Sequence, residues 1–201
     1  MIGLVQQVMK QAKARVLCGE AHFPNKLVSV FETDTEVIKK GKASKPVEFG
    51  KMVKIQEAEN QIITHYEVFP AKPNDGDLLL DSIEKHRQRL GRTPDLVAAD
   101  AGFSTLANEI SAETLGVKRV AIPRRGKVSA KRRQVQRERW FRRGQKWRTG
   151  AEGRISLLKR RHKLNRCLYR GPDGMQRWVG FGVIADTLIN MGRVLVAPAP
   201  Q

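Results

Sequence analysis

The alternation of strand-type and helix-type patterns constrains the fold of this 201-residue chain more than any other feature. Patterns typical of strands cover residues 27–31, 52–57, 61–69, 94–100 and 117–122, and helical patterns cover residues 4–17, 78–90, 104–115, 129–163 and 177–197. The second and third strands flank a turn at Glu59-Asn60 and predict a β-hairpin. Because such a chain buries its apolar faces by stacking helices on a sheet, we predict one α/β domain with a basic helical region near its C-terminus.

The positive charge of the chain lies wholly in its second half. Residues 1–117 hold 15 Lys and Arg against 16 Asp and Glu, whereas residues 118–201 hold 23 against 4, so the net charge of +18 divides into −1 and +19. This asymmetry indicates a polyanionic partner, most simply nucleic acid, whose binding weakens as salt rises. An anionic membrane is the competing partner. We expect no apolar run to approach the roughly 20 residues of a spanning helix, and we expect no membrane association.

Basic residues interleaved with aromatic ones mark the segments that suit contacts with nucleic acid. Trp140 and Phe141 interrupt one such segment, and this mixture suits phosphate contacts and base stacking. The candidates for DNA binding are Arg124, Arg125, Lys131, Arg132, Arg133, Arg142, Arg143, Arg148, Lys159, Arg160 and Arg161. A solvated basic face without a ligand is one alternative, and a preference for structured RNA is another.

Two carboxylates are the candidates for chemistry. Asp100 ends a buried strand pattern, and ligands of open α/β sheets bind at the carboxyl ends of strands. Glu152 lies in the most basic stretch, with Arg148 four residues before it and Lys159 seven residues after it, so a helix places all three near one face. Each acid also has a structural alternative, because Asp100 could order the following turn and Glu152 could form surface salt bridges.

Carboxylates at these two positions favour Mg²⁺ or Mn²⁺ as the cofactor. Mg²⁺ typically uses one or two carboxylates together with substrate phosphates. Two ions that bracket a phosphate activate a water or a 3′-hydroxyl, and that chemistry generally needs a third carboxylate. Cys18 and Cys167 form no metal-type pair, so we expect no zinc site and a reducing, cytoplasmic location.

Four windows of the sequence resemble bacterial insertion-sequence transposases of the DDE type, namely residues 45–50, 98–104, 147–159 and 174–180. In that family the second catalytic acid stands in an Ala-Asp-x-Gly-Phe context, as Asp100 does. The third lies in the pattern Tyr-x2-Arg-x3-Glu-x6-Lys, which Arg148, Glu152 and Lys159 match. Gln145 stands at the Tyr position, which is a departure from the family pattern.

The resemblance implies a fold, an activity and a set of ligands. The implied fold is a ribonuclease-H-like mixed sheet flanked by helices, and the implied activity is DNA cleavage and strand transfer at insertion-sequence ends with Mg²⁺ or Mn²⁺. Asp100 and Glu152 would be the catalytic residues and the metal ligands. The partners would be the double-stranded ends of the element and, in a synaptic complex, further copies of the chain, associated with the nucleoid in the cytoplasm.

The first catalytic Asp of that family has no evident counterpart here. It lies on the first strand of the sheet, whereas no strand pattern before residue 27 ends in Asp, and Asp34 is the nearest substitute. We therefore expect residues 1–26 to be the tail of a helical insertion, residues 27–197 a partial catalytic domain that lacks its first strand, and residues 198–201 a disordered tail. Activity would be impaired. The alternative function is a non-catalytic DNA-binding remnant that binds or interferes with an intact transposase.

Overall fold

Helices and short strands alternate in the parts of the chain that the computed structural model describes, residues 2–39, 47–124 and 126–196. The elements are α1 (Ile2–Leu17), β1 (Glu36–Lys39), β2 (Val47–Gly50), β3 (Val53–Glu57), β4 (Ile63–Val68), α2 (Leu78–Leu90), β5 (Leu96–Ala98), α3 (Leu106–Thr114), β6 (Arg119–Ala121), α4 (Ala130–Arg137), α5 (Arg139–Arg161) and α6 (Gly171–Val196). This order confirms the predicted mixed α/β class. Residues 197–201, which include the predicted tail, lie outside the described residues.

The strands pair in twos. Strands β1 and β2 are antiparallel, β3 and β4 form the predicted antiparallel hairpin, and β5 and β6 are parallel, with Leu96 opposite Arg119. Within the described residues these pairs are three separate two-stranded sheets and not the single mixed sheet that we predicted. The helices, rather than a continuous ladder of backbone hydrogen bonds, therefore hold the pairs in place.

The predicted strand at residues 27–31 is absent, and this prediction is wrong. The side chain of Gln11 on α1 satisfies both backbone groups of Leu27: the Leu27 N–H donates to Gln11 Oε1 at 2.5 Å, and Gln11 Nε2 donates to the Leu27 carbonyl at 3.0 Å. The hydroxyl of Ser29 accepts from the Glu32 N–H and begins a turn. Because side chains already satisfy these backbone groups, the segment needs no neighbouring strand.

Two apolar clusters form the core. The first lies between α2, α3 and the β5–β6 pair and is built from Leu79, Ile83, Ala112, Val117, Val120 and Ile122. The second lies between the β3–β4 hairpin, α5 and α6 and is built from Ile63, Leu158, Val179 and Val183. Helix α5 contacts both regions, since it packs on β5 and β6 with its first half and contributes Leu158 to the second cluster.

A close approach at Gly144 fixes the first half of α5 against the β5–β6 pair. A Cβ atom added to Gly144 would lie 2.7 Å from the Cβ of Ala121, so only glycine lets the helix come this near. The next residue, Gln145, donates its side-chain Nε2 to the carbonyls of Ala121 and Ala99. The following turns of α5 therefore lie beside the end of β5.

Helix α6 is longer than predicted and begins at Gly171. One face packs on β4 and the hairpin turn, which agrees with the prediction of a core-packing helix. An 18-residue window has a mean hydropathy of 1.5, so α6 is long and apolar enough to cross a membrane by length and composition. The expectation that no apolar run approaches this length is therefore wrong. Core helices meet the same criteria, and α6 buries Asp186 and Asn190.

The buried imidazole of His65 on β4 predicts acid sensitivity. Burial lowers the pKa of His65 below its ordinary value of 6.5, and the charges of Arg89, Lys85 and Lys54 lower the pKa further, against a smaller opposite effect of Glu67. Below pH 6.5 the unfolded chain binds a proton that the folded chain resists, so stability falls as the pH drops from 7 towards the lowered pKa.

Urea unfolding at pH 7 and at pH 5 checks this prediction. We expect the free energy of unfolding to decrease at pH 5 in the wild type and to decrease less in His65→Gln, because glutamine does not titrate. An equal decrease in both proteins would show that His65 does not cause the acid sensitivity.

Candidate active site

The two predicted acids meet at one guanidinium group. Arg148 Nη2 lies 3.0 Å from Asp100 Oδ2 and 2.9 Å from Glu152 Oε1. The two carboxylate oxygens are therefore at most about 6 Å apart, the two distances laid end to end. Arg148 and Glu152 follow Asp100 by 48 and 52 positions in the sequence. The fold thus brings the two acids together around a single positive charge.

Local structure places each acid. Asp100 precedes the short 3₁₀ turn Ala101–Phe103, and its Oδ1 accepts a hydrogen bond from the Gly102 N–H at 3.1 Å. Glu152 lies one helical turn after Arg148 on α5, which the contact at Gly144 holds beside the end of β5. Glu152 on α5 and Asp100 after β5, which the sequence patterns singled out separately, therefore lie at the same place in the fold.

Both structural alternatives, the ordered turn at Asp100 and the surface ion pair of Glu152, are present in this geometry. Neither occupies all the oxygen atoms of its carboxylate. Asp100 orders its turn with one oxygen, and Glu152 forms a surface ion pair. The side chains remain 49 % and 60 % exposed, respectively. Both carboxylates can therefore still accept ligands from solvent.

A third ligand does not join them within the described residues, where no group of three or more His, Cys, Asp or Glu could hold a metal. Asp34 is an exposed residue of a turn between α1 and β1 and is not grouped with Asp100 and Glu152. What the geometry offers is a pair of carboxylates around one cation position.

Comparison with known families shows which family the chain belongs to. Residues 26–187 match the family model described as Transposase DDE domain. The chain belongs to this family of DDE transposases. The match covers most of the chain and includes Asp100, Arg148 and Glu152, so membership supports a role in DNA transposition with DNA as the substrate. No curated protein and no solved structure matches the chain.

Most of the predicted DNA-binding residues of this transposase domain are exposed cations. No carboxylate of the described residues pairs with Lys131, Arg133, Arg142, Arg143, Lys159, Arg160 or Arg161. These side chains lie on α4 and α5 and are exposed to solvent, where phosphates could reach them. Arg125 lies outside the described residues.

Two of the predicted DNA-binding residues, Arg124 and Arg132, form ion pairs with a buried acid. Both donate to the carboxylate of Glu109 on α3, and Arg132 also donates to the Ile122 carbonyl at 2.6 Å. The side chain of Arg132 is only 14 % exposed and lies over the ring of Phe141. Both Nη groups of Arg132 are therefore committed within the fold, where they link α4 to α3 and to the end of β6.

A buried ionic network behind the site was not predicted from the sequence. Arg154, on the side of α5 away from Glu152, donates to Glu57 at 3.2 Å and pairs with Asp186 of α6 at 3.3 Å. Glu57 also accepts a hydrogen bond from the Trp147 indole at 3.3 Å. Glu57 therefore contacts α5 on both sides of the turn that carries Glu152.

The far end of the network ties α6 to the hairpin turn and to the end of α5. Asn190 donates to Asp186 and to the Gln61 carbonyl, and His162 Nε2 lies 3.4 Å from Asp186. The signal in the sequence was an isolated aspartate within the apolar pattern of α6, because a buried carboxylate requires a partner. The pattern does not identify that partner, which lies 32 residues earlier.

Proposed function

We propose that this chain supplies a ribonuclease-H-like catalytic domain for metal-dependent DNA cleavage and strand transfer at insertion-sequence ends. One observation carries the proposal: Asp100 and Glu152 converge on one cation position beside a helix lined with exposed Arg and Lys. Family membership supports DNA transposition, and this geometry supports these two acids as the residues that act in it. The same proposal places the protein with DNA in the cytoplasm.

The residues present fit a hard divalent cation. The position between the two carboxylates is one that a positive charge already occupies, and both side chains offer oxygen donors that solvent can reach. When bound there, Mg²⁺ or Mn²⁺ would polarise a phosphate oxygen and lower the pKa of a bound water. Asp100 and Glu152 would hold the ion.

Arg148 would then change partners. Once the carboxylates bind a divalent ion, its guanidinium group is free to bind a phosphate, for which its planar pair of donors is suited. In the cleavage step a water oxygen forms a bond to phosphorus, the bond from phosphorus to the 3′ oxygen breaks, and the leaving oxygen takes up a proton. Arg148 would hold the phosphate in place for that exchange.

The exposed cations of α5 suggest a path for the DNA. Arg143 and Lys159 are 16 residues apart, which is roughly 24 Å along a helix, and Glu152 lies between them. A duplex that follows α5 would therefore contact basic side chains on both sides of the acids. Arg142 and Arg143 would bind phosphates at one end, and Lys159, Arg160 and Arg161 at the other.

A salt titration of duplex binding tests this path. We expect Arg142→Gln/Arg143→Gln/Arg160→Gln to reduce the slope of log K against log salt by about 2.7, since each lost phosphate contact contributes about 0.9. The matched control is Lys10→Gln/Lys13→Gln/Arg15→Gln, which removes the same charge from α1 and should leave the slope nearly unchanged. A slope near zero in the wild type, or equal losses in both triples, would contradict the proposal.

The second candidate function is a non-catalytic DNA-binding protein. It is favoured by the absence of a third acid beside Asp100 and Glu152 among the described residues. A nicking assay on supercoiled plasmid separates the two functions, since only the catalytic one predicts Mg²⁺-dependent nicking that disappears in Glu152→Gln. Competition with structured RNA completes the test, because a preference for RNA would contradict both.

A further inference from the structure

The side-chain amide of Gln145 joins α5 to the ends of two neighbouring strands. Its Nε2 donates to the carbonyl of Ala121, the last residue of β6, and at 3.3 Å to the carbonyl of Ala99, which directly follows β5. An amide nitrogen carries two hydrogens, so it serves both carbonyls at once. One half-buried side chain of α5 therefore binds the carboxyl ends of both β5 and β6.

The backbone at Ala99 lies beyond the strand ladder. The parallel pairing of β5 with β6 ends at Ala98 opposite Ala121, and Asp100 is the second residue after that last pair. In the part of the chain that the structure describes, β5 pairs with no strand other than β6, so no ladder extends to Asp100. A partly buried carbonyl needs a donor, and the donor to Ala99 comes from α5.

Gln145 lies on the same face of α5 as Arg148 and Glu152. These two residues follow it by three and seven positions, a spacing that aligns side chains along one face of a helix. At the other end of the hydrogen bond, Ala99 directly precedes Asp100. The bond between Gln145 and Ala99 therefore sets the distance from the helix face that carries Glu152 to the strand end that carries Asp100.

The link through Gln145 is independent of the link through Arg148. In this structure Arg148 also joins the two elements, since it pairs with Asp100 at 3.0 Å. Under the proposed function, the guanidinium group of Arg148 leaves the carboxylates for a phosphate once a cation binds. The hydrogen bond from Gln145 to Ala99 persists in that state, because neither the amide nor the backbone carbonyl takes part in the exchange.

We propose that Gln145 is a positioning residue that holds Asp100 and Glu152 at the separation a divalent cation requires. The inference rests on the proposed function, because it concerns the same pair of acids. Gln145 contacts Ala99 and acts on the cation only through the backbone next to Asp100. The residue that departs from the family pattern thus has a defined role in this chain.

Titration calorimetry of Gln145→Met with Mn²⁺ tests this role. Methionine has nearly the same length and volume but donates no hydrogen bond, so the ends of β5 and β6 lose their link to α5. We expect Mn²⁺ affinity to fall about tenfold, the usual effect of losing a residue that orients metal ligands. Duplex affinity should change by less than about twofold, since no charge is altered.

The matched control is Gln11→Met. The amide of Gln11 on α1 is also half-buried and also binds backbone groups, those of Leu27, but it lies away from the two acids. We expect wild-type Mn²⁺ affinity in this variant. A second variant, Gln145→Asn, keeps the amide on a side chain one methylene shorter, which cannot reach both carbonyls, and should also weaken Mn²⁺ binding. Circular dichroism establishes that each variant is folded.

Two results would overturn the inference, and they differ in what they leave standing. If Asp100→Asn/Glu152→Gln weakens Mn²⁺ binding but folded Gln145→Met or Gln145→Asn binds Mn²⁺ like Gln11→Met, then Gln145 does not position the acids and the proposed function stands. If the double variant of the acids binds Mn²⁺ as tightly as the wild type, the acids are not the ligands, and the proposed function and this inference fail together.

Discussion

Replacing Arg154 with methionine should lower the free energy of unfolding by about 3–5 kcal/mol. The guanidinium group is 6 % exposed and is shared between Glu57, which is 7 % exposed, and Asp186, which is 1 % exposed. Removing it leaves two buried carboxylates without their charged partner, and an uncompensated buried charge costs far more than a surface ion pair contributes. Urea unfolding followed by circular dichroism measures the change.

The matched control for this variant lies on the same helix. Arg161→Met removes an exposed guanidinium that pairs with no described carboxylate, and we expect a change within about 0.5 kcal/mol. In Arg154→Met/Glu57→Leu/Asp186→Leu the charges are removed together, so part of the lost stability should return. A cost below about 1 kcal/mol for Arg154→Met would mean that the network is solvated and contributes little.

The second large effect concerns metal affinity. We expect Asp100→Asn/Glu152→Gln to weaken Mn²⁺ binding by more than about tenfold, because each change replaces a charged oxygen ligand with a neutral amide. Isothermal titration calorimetry without DNA measures it. Duplex affinity should be kept or should increase, since two negative charges leave a basic surface.

Two further variants sharpen that measurement. Glu113→Gln neutralises an exposed acid on α3 away from the site and should leave Mn²⁺ affinity unchanged. Asp34→Asn tests the only substitute that the sequence offered for the family's first acid, and we expect no effect because Asp34 is not grouped with the other two. If the double variant bound Mn²⁺ as tightly as the wild type, Asp100 and Glu152 would not be its ligands.

Short-range patterns were read correctly where local physics decides the structure. The hairpin of β3 and β4 has its turn at Glu59 and Asn60, and α2 ends at Gly91, whose φ of 69° suits glycine. The spacing of Arg148 and Glu152 on one helical face is also confirmed, since the two side chains form an ion pair at 2.9 Å. In each case the information lies within a few residues of the chain.

Predictions failed where a distant group changed the outcome. Residues 27–31 have a strand pattern, but the amide of Gln11 satisfies Leu27 and no strand forms. DNA contact by Arg132 stays a prediction, but the basic pattern did not indicate that this side chain pairs with Glu109, which lies 23 residues away along the chain. A periodic pattern in the sequence does not identify the distant side chain that folding brings near.

The sequence by itself determined the α/β class, the positions of most helices and the place of each acid in its own element. Hydrophobic period, turn chemistry, the spacing of Arg148 and Glu152, and the strand pattern before Asp100 are local properties. Only the tertiary structure decided that both acids share one guanidinium, that Arg154 is buried between Glu57 and Asp186, and that the strands pair in twos. Those outcomes depend on the close packing of α5 on β5 and β6, which joins residues that lie tens of positions apart in the chain.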